Sequence, residues 1–238
     1  MLDLVLALIP LSLGIVMSPL AIMALVAVLL SAQARRNGIA FLLGWAAAVV
    51  VTLGLSFLVF ELVGVSERGE PPQWVSIVRI VLGATLLAGA LFIYRRGRSR
   101  VVEMAQAVSP EEVVQAAPQL PGWLRAVDTF TPARSAILGF GIFALNPVDL
   151  SCAILAALDI RLASTTTAQS VIVTVAFVAL AIAPIAVPVL VTLAKGDRAA
   201  PTLERLRRWI AAHTTQLNAA LLVFIAVVQL HKGITGLI

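Results

Sequence analysis

The stretch Ala144-Leu145-Asn146-Pro147-Val148-Asp149-Leu150 interrupts an apolar run that extends from about Ser135 to Ala157. A proline inside a helix removes one backbone donor and clashes with the carbonyl four residues back, here that of Phe143. An asparagine and a carboxylate at this depth are costly in hydrocarbon. A helix that only had to span a bilayer would carry none of the three. An earlier apolar run has its own break at Ser18-Pro19, at a similar depth. Polar breaks at corresponding points of two halves of a membrane chain point to a transport site.

Composition agrees with that setting. The 238 residues are 61% hydrophobic and 12% charged, with mean hydropathy +1.03. The apolar residues come in long blocks without period-2 alternation, so helices rather than a barrel are expected. Six spans are predicted, at about 4–30, 38–63, 74–94, 135–158, 167–194 and 216–237. Each supplies the roughly 20 residues that about 30 Å of hydrocarbon requires. The leader carries Asp3 in place of Lys or Arg, and the run from Leu4 to Leu30 is too long for a signal-peptide core, so no cleaved signal is expected.

Basic residues orient the chain. Of 17 Lys and Arg, thirteen fall on the side that holds the first, third and fifth loops: Arg35, Arg36, Arg95, Arg96, Arg98, Arg100, Arg125, Arg134, Lys195, Arg198, Arg205, Arg207 and Arg208. Arg68, Arg161 and Lys232 fall on the other side, and Arg79 lies within a span. The positive-inside rule then puts the basic side in the cytoplasm, with both termini outside. The net charge of +5 is thereby accounted for by topology, and no nucleic-acid partner is implied.

The breaks divide the chain into residues 1–96, a first three-helix repeat; 97–134, a cytoplasmic loop; and 135–238, a second repeat. Three spans per half is an odd number, so the second half must be inverted relative to the first. Within the loop, Ser109-Pro110-Glu111-Glu112 reads as a helix start. Trp123, Leu124, Val127 and Phe130 then share one face of a short surface helix. Pro201 to His213 reads as a second surface helix, with Leu203, Leu206, Trp209 and Ile210 set against Arg205, Arg207 and Arg208.

Asp149 is the acidic residue placed deepest in a span. Asn146 lies one turn earlier on nearly the same helix face, and Pro147 frees the Phe143 carbonyl. Together they form a polar notch in which a carboxylate could load and release a proton. The alternative is structural: Asp149 pairs with a cation or caps the half-helix that begins at Pro147. Ser18 and Pro19, with Ser12 and Gly14 one and two turns earlier, form the matching notch of the first span. The expected substrate- and ion-binding set is therefore Asn146, Pro147, Asp149, Ser18, Pro19 and Ser12. Pro184 and Pro188, on one face of the fifth span, should kink it and act in gating. Arg79 should snorkel to the outer interface. Glu61, Asp159 and Arg161 read as interface residues, while Asn218, Gln229 and His231 dot the sixth span.

Other chemistries fail on residue content. Cys152 is the only cysteine, so neither a disulfide framework nor a thiol metal cluster can form. No histidine and acid cluster has metal-ligand spacing, no phosphate-binding glycine loop is present, and no serine or cysteine has a partner base. An enzyme is not expected, and no cofactor is implied.

The sequence resembles the Gap/Sap family, the glycopeptidolipid- and sulfolipid-addressing proteins, a branch of the LysE superfamily of exporters. The resemblance is carried by Met17-Ser18-Pro19-Leu20-Ala21-Ile22, by Ala34-Arg35-Arg36-Asn37-Gly38 leading to Phe41-Leu42-Leu43-Gly44-Trp45, by Asn146-Pro147, and by Arg205-Leu206-Arg207-Arg208-Trp209 through to Lys232-Gly233-Ile234. Val148-Asp149 after Asn-Pro departs from the family pattern, so no role for Asp149 is carried over. The resemblance implies six spans in an inverted repeat and export across the cytoplasmic membrane. The reading is a secondary-type exporter of a small solute or a cell-envelope lipid, with its site between spans one and four and Asp149 as proton carrier. The alternative is a non-transporting scaffold or accessory subunit of a lipid-export complex. Membrane lipids, the cargo and the coupling proton are its implied partners; a homo-oligomer and a lipid-synthesis complex are the assemblies left open.

Overall fold

In the computed structural model the chain is all helical, and among the described residues there is no strand. The structure describes residues 1–29, 31, 33–65, 72–97, 131–163 and 165–238, apart from the side chains at 19, 96, 97, 197, 204 and 207–217. The helices are α1 (Leu2–Val16), α2 (Pro19–Leu29), α3 (Ala34–Leu62), α4 (Gln73–Phe92), α5 (Pro132–Ala144), α6 (Pro147–Leu162), α7 (Thr167–Lys195) and α8 (Ala200–Thr235). A π-helical turn at Ile93–Gly97 follows α4, and a 3-10 turn at Gly196–Ala199 joins α7 to α8.

Helix starts follow local chemistry. Thr131 caps α5 by accepting from the Arg134 N–H, with Pro132 in the first turn, where a missing N–H costs nothing. Thr166 and Gln169 form a reciprocal capping box at α7. Four helices, in α3, α4, α7 and the Asn218–Thr235 part of α8, are long and apolar enough to cross a membrane. Two pairs, α1 with α2 and α5 with α6, pass the same test together but bend by 48° and 69°. This is a membrane protein with four to six candidate spans. Large apolar side chains such as Leu43, Val50, Leu55 and Leu58 on α3, and Val171, Ile172, Val175, Val187 and Leu190 on α7, point away from the core.

The helices approach closely because glycines sit where they cross. A Cβ on Gly44 of α3 would run into the backbone carbonyl of Ala136, and one on Gly139 of α5 into that of Phe41. On the α4–α8 crossing, a Cβ on Gly233 would come within 2.9 Å of the Ser76 carbonyl. In lipid, where apolar burial drives little helix association, such backbone-to-backbone packing is a main source of cohesion. Beyond α3 with α5 and α4 with α8, contacts join α1 with α7, α1 with α6, α2 with α5, α3 with α6, α2 with α7, α4 with α6 and α2 with α8. The half-helix α2 is buried from Leu20 to Leu29.

One expectation needs correction. The surface helix expected at Pro201 to His213 is not a separate element: α8 runs uninterrupted from Ala200 to Thr235. Pro201 sits in its first turn, and no second breaker follows, so nothing ends the helix before the apolar stretch begins. Pro184 and Pro188 lie within α7, which runs from Thr167 to Lys195. The short helices expected in 97–130 lie outside the described residues.

Candidate functional site

The two bends share one backbone solution. At the second, Leu145 N–H donates to Gly141, Asn146 N–H to Phe143, and Leu150 N–H to Asn146. At the first, Met17 N–H donates to Leu13, Ser18 N–H to Ile15, and Ile22 N–H to Ser18. Each residue before the proline thus turns its N–H to the carbonyl that the proline leaves unbonded. The Phe143 carbonyl, expected to be free for the site, is consumed in this way at 3.2 Å.

Side chains join the bends to each other. Asn146 caps α6, its Oδ1 accepting from Val148 N–H at 3.1 Å. Its Nδ2 donates to Asp149 Oδ2 at 2.7 Å and reaches Ser18 Oγ at 3.4 Å. Ser18 Oγ donates to the same Asp149 Oδ2 at 3.1 Å. Residues 131 positions apart therefore meet on one buried carboxylate. Asp149 and Ser18 are both buried. Asp149 Oδ1 is buried with no hydrogen-bond partner, and among the described residues no ion pair reaches it. A buried carboxylate in that state has to be matched by a proton or a cation.

Ser12 does not join this network: its hydroxyl donates to the Ile9 carbonyl in its own helix at 2.8 Å. Gly14 has a packing role, since a Cβ there would lie 2.8 Å from Cys152 Sγ of α6. Pro19 and Pro147 open α2 and α6. Pro184 and Pro188 lie outside the network. Trp45 Nε1 donates at 3.0 Å to the Ala181 carbonyl, and Thr192 Oγ1 to the Pro188 carbonyl at 2.9 Å. Asn218 was not singled out for the site, yet its Nδ2 donates to the Met17 carbonyl at the first bend, at 3.2 Å. An asparagine within an apolar stretch was the available signal.

The far end of α6 is different. Arg79 does not snorkel. It is 7% exposed, and its Nη2 meets Asp159 Oδ1 at 2.6 Å while Nη1 donates to Gln229 Oε1 at 2.7 Å. Lys232 Nζ stands 3.6 Å from Asp159 Oδ2. Asp159 is thus a buried partner of Arg79, not an interface group. A guanidinium whose fork can be filled by a carboxylate and an amide is cheaper to bury than one stretched towards water. Beside it, Arg161 pairs with Glu61 and donates to the Val65 carbonyl at the end of α3. Among the described residues, no cluster of three His, Cys, Asp or Glu could hold a metal.

An all-helical membrane protein, with two bent helix pairs tied together through a buried carboxylate, is the class that fold and site define. Its family is equally definite. Residues 8–235 match the family model described as Sap, sulfolipid-1-addressing protein, and the chain belongs to that family. No curated protein and no solved structure matches the chain.

Proposed function

We propose that the protein is a secondary-type exporter, a transporter and not an enzyme. It moves a small solute or a cell-envelope lipid across a bacterial inner membrane, through a site between α1/α2 and α5/α6. The observation that carries this reading is the Ser18–Asp149–Asn146 network, which joins two helix breaks 128 residues apart on a carboxylate whose Oδ1 has no partner. A carboxylate that only stabilised the fold would have its charge compensated by a cation, as that of Asp159 is by Arg79, whereas among the described residues no cation pairs with Asp149. One left open between two broken helices suits a group that takes up and gives back a proton.

Six spans in an inverted repeat, residues 1–96 and 135–238 flanking the loop 97–134, are part of the proposal. Exchanging α1 with α5, α2 with α6, α3 with α7 and α4 with α8 maps several contacting pairs onto contacting pairs, while the α1–α8 and α5–α6 contacts have no counterpart of similar extent. The α3–α5 contact maps onto α7–α1, α4–α6 onto α8–α2, α3–α6 onto α7–α2, and α1–α6 onto α5–α2. That correspondence and the identical backbone bonding of the two bends support the repeat. The asymmetry of Lys and Arg supports a cytoplasmic basic side with both termini outside. The family description supports a lipid-related cargo.

The test uses purified protein in liposomes under an imposed pH gradient, with a lumenal pH dye and fluorescent phosphatidylglycerol as probes. Wild type should move protons, and Asp149→Asn should lower that rate at least about tenfold while staying folded in the membrane. An Asn variant as fast as wild type would leave Asp149 a structural residue. Wild type that moves neither protons nor lipid would favour the non-transporting scaffold.

A further inference from the structure

A cleft opens at the opposite end of α2 from Ser18. This open cleft has a volume of about 610 Å³ and lies between the α2–α3 connection and the α7–α8 junction. Arg35 and Arg36 line it, with Ser31 and Gln33 as further polar groups and Leu29 and Leu203 as apolar wall. Both arginines are exposed, and neither has an ion-pair partner among the described residues. The Arg35 guanidinium lies over Gly196, where a Cβ would stand 3.1 Å from its Nη2. Gly196 has φ of 55°, so that face of the cavity stays clear of side chain for two reasons. The first residues of two helices, Ala34 of α3 and Ala200 of α8, are part of the lining, and neither helix start carries a side-chain cap. Two guanidinium forks in one concave site, without an ion-pair partner among the described residues, suit an oxyanion such as phosphate or sulfate. Buried Leu29 and Leu203 beside them favour an anion that carries an apolar body.

We infer that this cavity binds the phosphate or sulfate headgroup of an anionic amphiphile on the basic side of the membrane. The half-helix α2, eleven residues or about 16 Å long, runs from the Ser18 notch to Leu29 at the cavity wall. A headgroup held by Arg35 and Arg36 therefore stands one half-helix away from Asp149. As the entry point for cargo the cavity rests on the exporter reading above; the binding itself does not.

The test is native mass spectrometry of the full-length purified protein, counting retained phosphatidylglycerol against phosphatidylcholine, with inorganic phosphate and sulfate as separate probes. Wild type should retain phosphatidylglycerol at least about tenfold in preference. Arg35→Gln with Arg36→Gln should abolish the preference. Ala200→Trp, which fills the cavity without touching a charge, should abolish it too. Arg95→Gln, an exposed arginine outside the cavity, should change it less than twofold, and Asp149→Asn should leave it intact even where transport is lost. Loss of preference in Arg95→Gln, or none in Ala200→Trp, would reduce the effect to general attraction by a basic surface and overturn the inference. Retention of the inorganic ions without any lipid preference would assign the cavity to a free anion and overturn it as well. Circular dichroism of each variant guards against misfolding. If Asp149→Asn abolishes transport while the cavity shows no preference, the inference fails and the exporter reading stands.

Discussion

The two ends of α6 each bury an aspartate, and they treat it in opposite ways. At the C-terminal end Asp159 meets Arg79 at 2.6 Å, with Lys232 at 3.6 Å. At the N-terminal end Asp149 receives hydrogen bonds from Ser18 and Asn146 on one oxygen and has no partner on the other. Burial is the same; compensation is not. A pair that cancels its charge in place costs desolvation once and then holds three helices, α4, α6 and α8, in register. A carboxylate held only by neutral donors keeps its position yet still needs a proton or a cation. On one helix, therefore, one end holds a carboxylate compensated by a cation and the other a carboxylate without one among the described residues. Whether that division is real is open to mutation, and the effects should fall in a definite order.

The largest effect is expected at the Arg79–Asp159 clamp. Arg79→Met leaves Asp159 buried beside Lys232 alone and should lower unfolding free energy by about 3–5 kcal/mol, read by SDS titration in mixed micelles. Arg79→Met combined with Asp159→Leu removes both charges and should recover most of that loss. If the double variant is no more stable than the single, the pair is not a clamp, and the contrast with Asp149 loses its foundation.

At the open end the losses should be smaller and unequal. Asn146→Ala removes both the cap of α6 and the 2.7 Å donor to Asp149, so about 1–2 kcal/mol is expected. Ser18→Ala removes a single donor at 3.1 Å and should cost about 0.5–1.5 kcal/mol. The same titration measures both. Equal losses would mean that the cap contributes nothing and that Asn146 serves Asp149 alone.

How far the sequence foretold this arrangement differs along the chain. Apolar blocks are legible because lipid offers no partner for a polar backbone. The bends are legible because proline lacks an N–H, and the two sites repeat each other's backbone bonds at Ser18 and Asn146. At the level of side chains the two bends diverge: Ala21 stands three residues after Ser18, where Asp149 stands three after Asn146. The start of α8 was misread because amphipathic and apolar segments can share one helix when no breaker separates them. Arg79 was misread because its partners lie 80 and 150 residues away. Helical periodicity reports which face a residue occupies, while only packing brings three distant faces together. The use of Asn218 on the Met17 carbonyl was hidden for the same reason.

The smallest effect is expected at Lys232, and it tests whether Arg79 is sufficient for the clamp. Lys232 Nζ stands 3.6 Å from Asp159 Oδ2, beyond hydrogen-bond reach, on a side chain 39% exposed against 5% for Asp159. A long ammonium stem that keeps contact with solvent gives up rotamer freedom for a screened attraction, and such pairs contribute about 0–1 kcal/mol. Arg79 has neither weakness: its fork is nearly closed off from solvent, and Gln229 fixes its second branch. Lys232→Met should therefore shift unfolding by less than about 1 kcal/mol. A loss as large as that of Arg79→Met would mean that Asp159 needs both cations. The Asp159 Oδ2 atom, which has no hydrogen bond of its own, would then be held by charge alone, and the clamp would extend further along α8 than the Arg79 pair.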